Sequence, residues 1–83
     1  MYKIRTDPGI EKKFRELKTS YKIAVGLIFE ELKENPYLGK PLEREFIGKY
    51  SYRIGVYRII YKIDETNKAV VILNIDHRSV VYN

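Results

Sequence analysis

The spacing of apolar residues changes abruptly near the middle of this chain, and that change limits the folds it can adopt. From residue 49 onward, aromatic and β-branched side chains alternate with polar ones, which is the period of a β-strand. This pattern predicts strands over residues 50–54, 56–63 and 70–75. Gly55 indicates a tight turn between the first two strands, and the polar residues 64–68 indicate a hairpin between the next two.

The first half has helical spacing instead, after a short alternating stretch at residues 2–6 that predicts a first strand. Asp7 is expected to cap a helix that begins at Pro8 and ends near Lys18, because proline already has helical φ. Ile10, Phe14 and Leu17 would form its apolar stripe.

A second helix is expected to begin with Thr19 or Ser20 as its cap and to end where Asn35-Pro36 prevents continuation. Two helices joined by a short turn predict an antiparallel hairpin. Residues 37–42 are expected to form a loop. The expected apolar face of this second helix comprises Ile23, Ala24, Leu27, Ile28 and Leu32.

Side-chain alternation assigns the two faces of the predicted sheet. On the middle strand, Tyr57, Ile59, Tyr61 and Ile63 are expected to meet the helices, with Val56, Arg58, Ile60 and Lys62 on the second face. On the last strand, Val71, Leu73 and Ile75 are expected to join the buried set, leaving Val70, Ile72 and Asn74 beside Arg58 and Lys62. The second face is therefore expected to be both apolar and basic.

Length and charge indicate one small domain over residues 1–83 that binds a polyanion. The chain has 83 residues, a formal charge of +5 and a pI near 9.5. Residues 49–83 contain six basic and three acidic side chains, together with five of the eight tyrosines. This balance favours RNA, DNA, a ribosome or an acidic protein segment as partner.

The absence of cysteine excludes disulfides and thiolate metal sites, and a single histidine excludes a multi-histidine site. The chain is therefore expected to be cytoplasmic, without metal or cofactor, and magnesium binding by carboxylates alone is the alternative left open. Its apolar runs are far shorter than the ~20 residues that span a bilayer, so no membrane association is expected.

In its order of elements and its motifs the chain resembles the RelE/ParE toxin superfamily. The motifs are residues 42–48, which lead into the sheet, the Tyr-Arg segment within 53–64, and residues 77–82 at the end. The resemblance covers nearly the whole chain. It implies an α+β fold in which an N-terminal strand and an antiparallel helix hairpin pack on a curved antiparallel sheet. It also implies a type II toxin neutralised by a cognate acidic, RelB-like antitoxin, with a heterotetramer as one arrangement of the complex.

Within this superfamily, RelE-like members cleave messenger RNA in the ribosomal A site, and ParE-like members inhibit DNA gyrase. Arg58, Arg78 and Tyr82 match the catalytic positions of the RelE-like branch. Lys49 matches one of two lysines that the branch has on the preceding strand, and Ser51 stands where the second is expected. The RelE-like activity is the favoured prediction. A gyrase inhibitor and a catalytically degenerate binding module are the alternatives.

The chemistry of RNA cleavage suits these residue types. A metal-free reaction needs a base for the 2′-hydroxyl, cations for the charged transition state and an acid for the leaving 5′-oxygen. Arg58 and Arg78 are predicted to clamp the phosphate, since a guanidinium stays protonated and binds phosphate oxygens bidentately. Tyr82 could stack on a base or transfer a proton, and which residue is the base is left open.

Four further residues are predicted to bind RNA: Lys49, Arg53, Lys62 and His77. Arg53 has an alternative partner in a helix carboxylate, Glu30 or Glu34. A histidine side chain ordinarily titrates near neutral pH, which suits proton transfer in catalysis. Strand alternation nevertheless directs His77 towards the core, where a structural hydrogen bond is the alternative role.

Overall fold

The computed structural model describes residues 1–77, and this part of the chain forms two helices and five strands. A turn of 3₁₀ helix precedes β2, and a second precedes β3. The elements are β1 (Lys3–Arg5), α1 (Pro8–Arg15), α2 (Thr19–Glu34), β2 (Lys40–Pro41), β3 (Lys49–Ile54), β4 (Tyr57–Asp64) and β5 (Ala69–His77). The α+β fold expected from the sequence is confirmed.

Helix α1 begins as its sequence predicts. The Asp7 side chain accepts a hydrogen bond of 2.8 Å from the backbone N–H of Ile10, and Pro8 is the first helical residue. Ile10 and Leu17 are buried and Phe14 packs against them. The helix ends at Arg15, three residues earlier than expected.

The expected cap of α2 is wrong, and its expected end is confirmed. Lys18 occupies the N-cap position with extended backbone and makes no side-chain cap bond, so Thr19 is already helical. The helix ends at Glu34, and the Asn35 side chain then accepts a bond of 3.1 Å from the Tyr37 backbone N–H. Asn35 therefore closes one helix and caps the 3₁₀ turn that follows.

The buried face of α2 includes the expected Ile28 and Leu32, but the rest of it differs from the expected face. Ile23 and Leu27 are each 61% exposed, whereas Val25 and Leu32 are fully buried. Apolar residues surround most of this helix, so its sequence fits more than one stripe, and packing on the sheet selects among them. The residues that α2 turns to the core are Tyr21, Val25, Ile28, Phe29 and Leu32.

The five strands form one sheet in the order β1-β5-β4-β3-β2. β1 pairs parallel with β5, and the other neighbours are antiparallel. The expected hairpins are present, and Gly55 has a φ of +55° at the β3–β4 turn. The two-residue strand β2 lies within the segment that was expected to be a loop.

A bulge in β5 overturns the expected faces of that strand. Ile60 pairs with Asn74, whereas its neighbour Tyr61 pairs with Ile72, so Leu73 is an extra residue. Alternation therefore reverses at the bulge, because an inserted residue shifts every earlier side chain to the other face. The β5 residues in the helix-side core are Val70, Ile72 and Ile75. The expectation that Val71 and Leu73 lie there is wrong.

The core lies between the helices and the sheet, and Tyr61 is its largest fully buried side chain. The Tyr61 hydroxyl donates a bond of 2.8 Å to the Pro36 carbonyl and accepts one of 2.9 Å from the Gly39 backbone N–H. Burial raises the pKa of Tyr61 to about 12. These two bonds attach the segment before β2 to the centre of the sheet.

A second group of contacts holds the β4–β5 turn. Glu65 accepts hydrogen bonds from the hydroxyls of Tyr2 and Tyr37, and Lys68 forms a salt bridge of 3.3 Å with it. These hydroxyl bonds lower the pKa of Glu65, and the bond to Glu65 raises the pKa of Tyr37 to about 12. In residues 1–77, neither helix has the length and apolar composition needed to cross a bilayer.

Candidate functional site

The face of the sheet that points away from the core gathers the basic residues of β3 and β4. Residues directly opposite each other on neighbouring strands share a face. Lys49 lies opposite Lys62, and Arg53 lies opposite Arg58. The two positively charged pairs flank a pair between Ser51 and Ile60. We call this surface the basic face, comprising Lys49, Arg53, Arg58 and Lys62.

Like charges in directly opposed positions destabilise a sheet, so the two pairs are unfavourable in the isolated protein. Arg53 and Lys62 are exposed, and neither forms a salt bridge with any residue of the described part of the chain. The Lys49 amine lies 5.7 Å from the centre of the Phe46 ring, a cation–π contact. An anionic ligand would relieve this repulsion.

The basic face continues onto β2. Lys40 lies opposite Ser51 and therefore on the same face. An open groove of about 320 Å³ follows this part of the sheet, lined by Lys40, Leu42, Ser51, Arg53 and Arg58. Three of its five lining residues are cations and none is acidic. The groove has the charge and the hydrogen-bond donors to hold a phosphate group.

Strand β5 adds polar groups at the other side of Arg58. Asp76 lies opposite Arg58, and Asn74 lies opposite Ile60. The Lys13 amine, from α1, donates bonds of 2.7 Å to the Asn74 side-chain oxygen and 2.9 Å to an Asp76 carboxylate oxygen. The charge of Asp76 is thus paired with Lys13, and α1 is fastened to this edge of the basic face.

The bulge in β5 changes which apolar residues lie on this face. Val70 and Ile72 were expected beside Arg58 and Lys62, but they are 0% and 2% exposed in the core on the opposite side. Val71 takes the position opposite Lys62. The apolar neighbour of Lys62 on this face is therefore Val71 and not Val70.

The remaining predicted site residues lie elsewhere or outside the described part. His77 is exposed and lies opposite Tyr57, so it is on the helix side of the sheet, where the two rings meet edge-on at 6.0 Å. The structure does not bring it to the basic face. Arg78 and Tyr82 lie outside the described residues. The alternative pairing of Arg53 with Glu30 or Glu34 is wrong, because Arg53 points away from α2.

Sequence reasoning missed Lys40 as a member of this site. Its segment, Gly39 to Leu42, has no strand-like alternation, and two paired residues are too few to produce one. Its membership depends on the register between β2 and β3, which is a tertiary feature. By contrast, the expectation that Tyr57 and Tyr61 face the core is confirmed, and Tyr50 and Tyr52 of β3 pack against the same core.

The fold and the sequence both match known toxins. The model of the family "ParE toxin of type II toxin-antitoxin system, parDE" matches residues 4–82. Toxin RelG of Mycobacterium tuberculosis is 46% identical over 59 residues, which cover 70% of this chain and 68% of RelG. Toxin RelE of the same organism is 42% identical over 59 residues, which cover 70% of this chain and 61% of that toxin.

Solved structures agree with these relationships. The toxin–antitoxin complex RelBE2 from M. tuberculosis contains a chain that superposes with a TM-score of 0.82 at 37% identity, covering 93% of this chain and 98% of that one. The isolated RelE toxin of E. coli superposes with a TM-score of 0.81 at 20% identity, covering 99% and 92%, and supports the fold alone. The chain therefore belongs to the RelE/ParE superfamily of type II toxins.

Proposed function

We propose that this toxin is a ribosome-dependent endoribonuclease that cleaves messenger RNA in the A site and so arrests translation. The observation that carries the proposal is the opposition of Arg53 to Arg58 and of Lys49 to Lys62 on one open face of the sheet. Four cations on one open face suit an anionic ligand such as the RNA backbone. The similarity to toxins named RelG and RelE supports cleavage of RNA over inhibition of DNA gyrase.

Arg58 is the residue best placed to hold the scissile phosphate. It is half-buried at the groove, so its guanidinium is fixed more firmly than that of the exposed Arg53. In the proposed reaction, the 2′-oxygen attacks the phosphorus, its proton goes to a base, and the 5′-oxygen leaves with a proton from an acid. Arg58 and Arg78 stabilise the negative charge that develops on the phosphate oxygens. Arg78 follows His77 directly in the chain, and His77 is paired with the neighbour of Arg58.

Tyr82 is proposed to stack on a base of the A-site codon, because an ordinary phenol is largely protonated at neutral pH and is a poor base. Lys49, Arg53 and Lys62 bind the backbone of the message. His77 contributes to RNA binding from the end of β5, outside the basic face. The reaction is proposed to use no metal ion, with the arginines supplying the positive charge that stabilises the phosphate in the transition state.

Dependence on the ribosome follows from the chemistry of the proposed catalytic residues, Arg58, Arg78 and Tyr82. Arginine supplies charge stabilisation but is not a base at neutral pH. A site without a tuned acid and base needs the substrate held close to the attacking geometry, and such positioning can contribute about 7–11 kcal/mol to lowering a barrier. The ribosome provides that positioning for an A-site codon, so free RNA is a poor substrate.

The proposed partner besides the ribosome is an acidic, RelB-like antitoxin in the cytoplasm. The solved relatives include RelBE toxin–antitoxin complexes from M. tuberculosis and E. coli. Acidic residues of an antitoxin segment would neutralise the opposed cations of the basic face, which blocks RNA and relieves their repulsion. The toxin and antitoxin assemble as a heterotetramer in this proposal.

Primer extension on a ribosome-programmed translation reaction tests the enzymatic proposal. Wild-type protein should cut the message within the A-site codon, with no cuts when ribosomes are omitted. Arg58→Ala and Arg78→Ala should each lower the single-turnover rate by roughly 10²–10³, the effect of losing one transition-state contact. Lys3→Ala is the control, because Lys3 is an exposed cation on β1, at the edge of the sheet opposite β2, and β5 separates it from the basic residues of β4. An intact message at saturating toxin would refute the proposal.

The family description favours one alternative, a ParE-like inhibitor of DNA gyrase. That function predicts DNA cleavage complexes with gyrase and no change in translated message. A supercoiling assay with purified gyrase, run beside the primer extension, separates the two. A protein inactive in both assays would be the degenerate binding module, consistent with Ser51 in place of a lysine.

A further inference from the structure

Lys40 lies in a position that the proposed cleavage site does not use. It belongs to the two-residue strand β2 at the edge of the sheet, directly opposite Ser51. Its side chain is exposed and, within residues 1–77, takes part in no salt bridge. It lines the same groove as Arg53 and Arg58.

The backbone is held by a hydrogen bond on each side of Lys40. Before it, the Gly39 N–H donates to the buried Tyr61 hydroxyl at 2.9 Å. After it, the Leu42 N–H donates to the Lys49 carbonyl at 2.9 Å. A Cβ atom on residue 39 would lie 2.5 Å from the Tyr61 hydroxyl, so only glycine allows this close approach. The groove therefore receives the Lys40 side chain from a fixed backbone position.

The groove suits a phosphodiester better than an isolated anion. Its volume of about 320 Å³ is in the range of small-ligand sites, and Leu42 gives it a half-buried apolar wall. An arginine pair and a lysine can contact more than one phosphate, and the apolar wall can cover a sugar or base edge. Single-stranded RNA presents these groups at regular spacing.

We infer that Lys40 is a substrate-contacting residue that binds the RNA phosphate next to the one held by Arg58, across the groove formed with Leu42, Ser51 and Arg53. The inference rests on the proposed ribonuclease function and deepens it. Lys40 supplies positive charge to the middle of the basic face, where Ser51 and Ile60 provide none. It acts in binding, and it does not transfer a proton.

The test compares wild type, Lys40→Ala, Lys40→Arg and Lys3→Ala in single-turnover cleavage of ribosome-bound message. Lys40→Ala should raise the toxin concentration for half-maximal rate about 5- to 10-fold, with little change in the maximal rate, as expected for one exposed charged contact. Lys40→Arg should restore binding, and Lys3→Ala should match wild type. Equal half-maximal concentrations for Lys40→Ala and Lys3→Ala would overturn the inference while leaving the proposed function intact.

A direct binding measurement decides the inference even if wild-type protein fails to cleave. Fluorescence anisotropy with a labelled single-stranded RNA oligonucleotide gives the affinity at several salt concentrations. Removing one phosphate contact should reduce the slope of log affinity against log salt by about 0.7 for Lys40→Ala and not for Lys3→Ala. Identical slopes would overturn the inference. Circular dichroism melts of all variants check that the exposed substitutions leave the fold unchanged.

Discussion

Arg53 and Arg58 lie directly opposite each other on β3 and β4, with four residues between them that include the turn at Gly55 and Val56. The turn fixes the register, and the register fixes the two guanidinium groups on one face. Two opposed like charges repel each other, and an anionic partner bound between them would weaken that repulsion. The same residues therefore link the stability of the free toxin to its binding of RNA or antitoxin.

Replacing Arg53 with alanine should stabilise the free protein and weaken its activity. The variant loses one member of an opposed like-charge pair, worth roughly 0.2–1 kcal/mol at low salt. Urea unfolding at low and high ionic strength measures this gain, which should shrink as salt screens the repulsion. Lys3→Ala should show neither effect. A lower stability for Arg53→Ala at low salt would contradict the account of the basic face.

Removing the Tyr61 hydroxyl should destabilise the protein. In Tyr61→Phe, the Gly39 N–H and the Pro36 carbonyl lose their buried partner, which costs about 1–3 kcal/mol. Tyr52→Phe is the control, because Tyr52 is half-buried in the same sheet and its hydroxyl bonds to no described residue. Denaturant unfolding should give a lower midpoint for Tyr61→Phe alone. Equal midpoints for the two variants would show that the hydroxyl bonds contribute nothing net.

Two glycine positions should respond to alanine with opposite signs. Gly26 lies within α2, and Gly48 has a φ of +93°, while an added Cβ would meet no atom within 4 Å at either position. Gly26→Ala should stabilise by about 0.5–1 kcal/mol through helix propensity. Gly48→Ala should destabilise by about 1–2 kcal/mol, because its backbone conformation is left-handed. Thermal melts of the two variants check the signs, and a stabilised Gly48→Ala would contradict the turn geometry.

Acid should remove the contacts that hold the β4–β5 turn. Hydrogen bonds from Tyr2 and Tyr37 lower the pKa of Glu65 below its usual 4.5, and those from Asn67 lower the pKa of Asp64 below its usual 3.8. A group whose folded pKa is depressed contributes stability above its unfolded pKa, and that contribution disappears as pH falls through the folded value. Melting temperature should therefore fall from about pH 4.5 downward.

Glu65→Gln isolates the part of this acid response that belongs to one carboxylate. The melting temperatures of wild type and Glu65→Gln should differ near neutral pH and converge as the pH falls through the depressed pKa of the folded Glu65, since a protonated Glu65 resembles the amide. Glu65 lies at the surface, so the difference in melting temperature should be small and should shrink further at high salt. A constant offset between the two proteins across the whole pH range would exclude titration of Glu65 as the cause.

Much of the fold could be predicted from local signals. Asp7 and Pro8 begin α1, and Asn35-Pro36 ends α2, because capping bonds and proline geometry act within a few residues. The strand pattern on β4 was correct for the same reason, since alternation is a local property of an extended chain. Arg58 and Lys49 were identified as candidates through the resemblance to the toxin superfamily, and strand alternation placed Arg58 and Lys62 on one face.

The remainder depended on contacts between distant segments. The sequence alone determined the α+β class, the helix and strand periods and the basic character of the second half. Only the tertiary structure decided that Val25 rather than Ile23 faces the core, that the bulge at Leu73 reverses part of β5, and that Lys40 joins the basic face. Each of these features is fixed by strand register or by packing against residues distant in the chain. The local sequence is compatible with more than one register or packing face and therefore does not determine them.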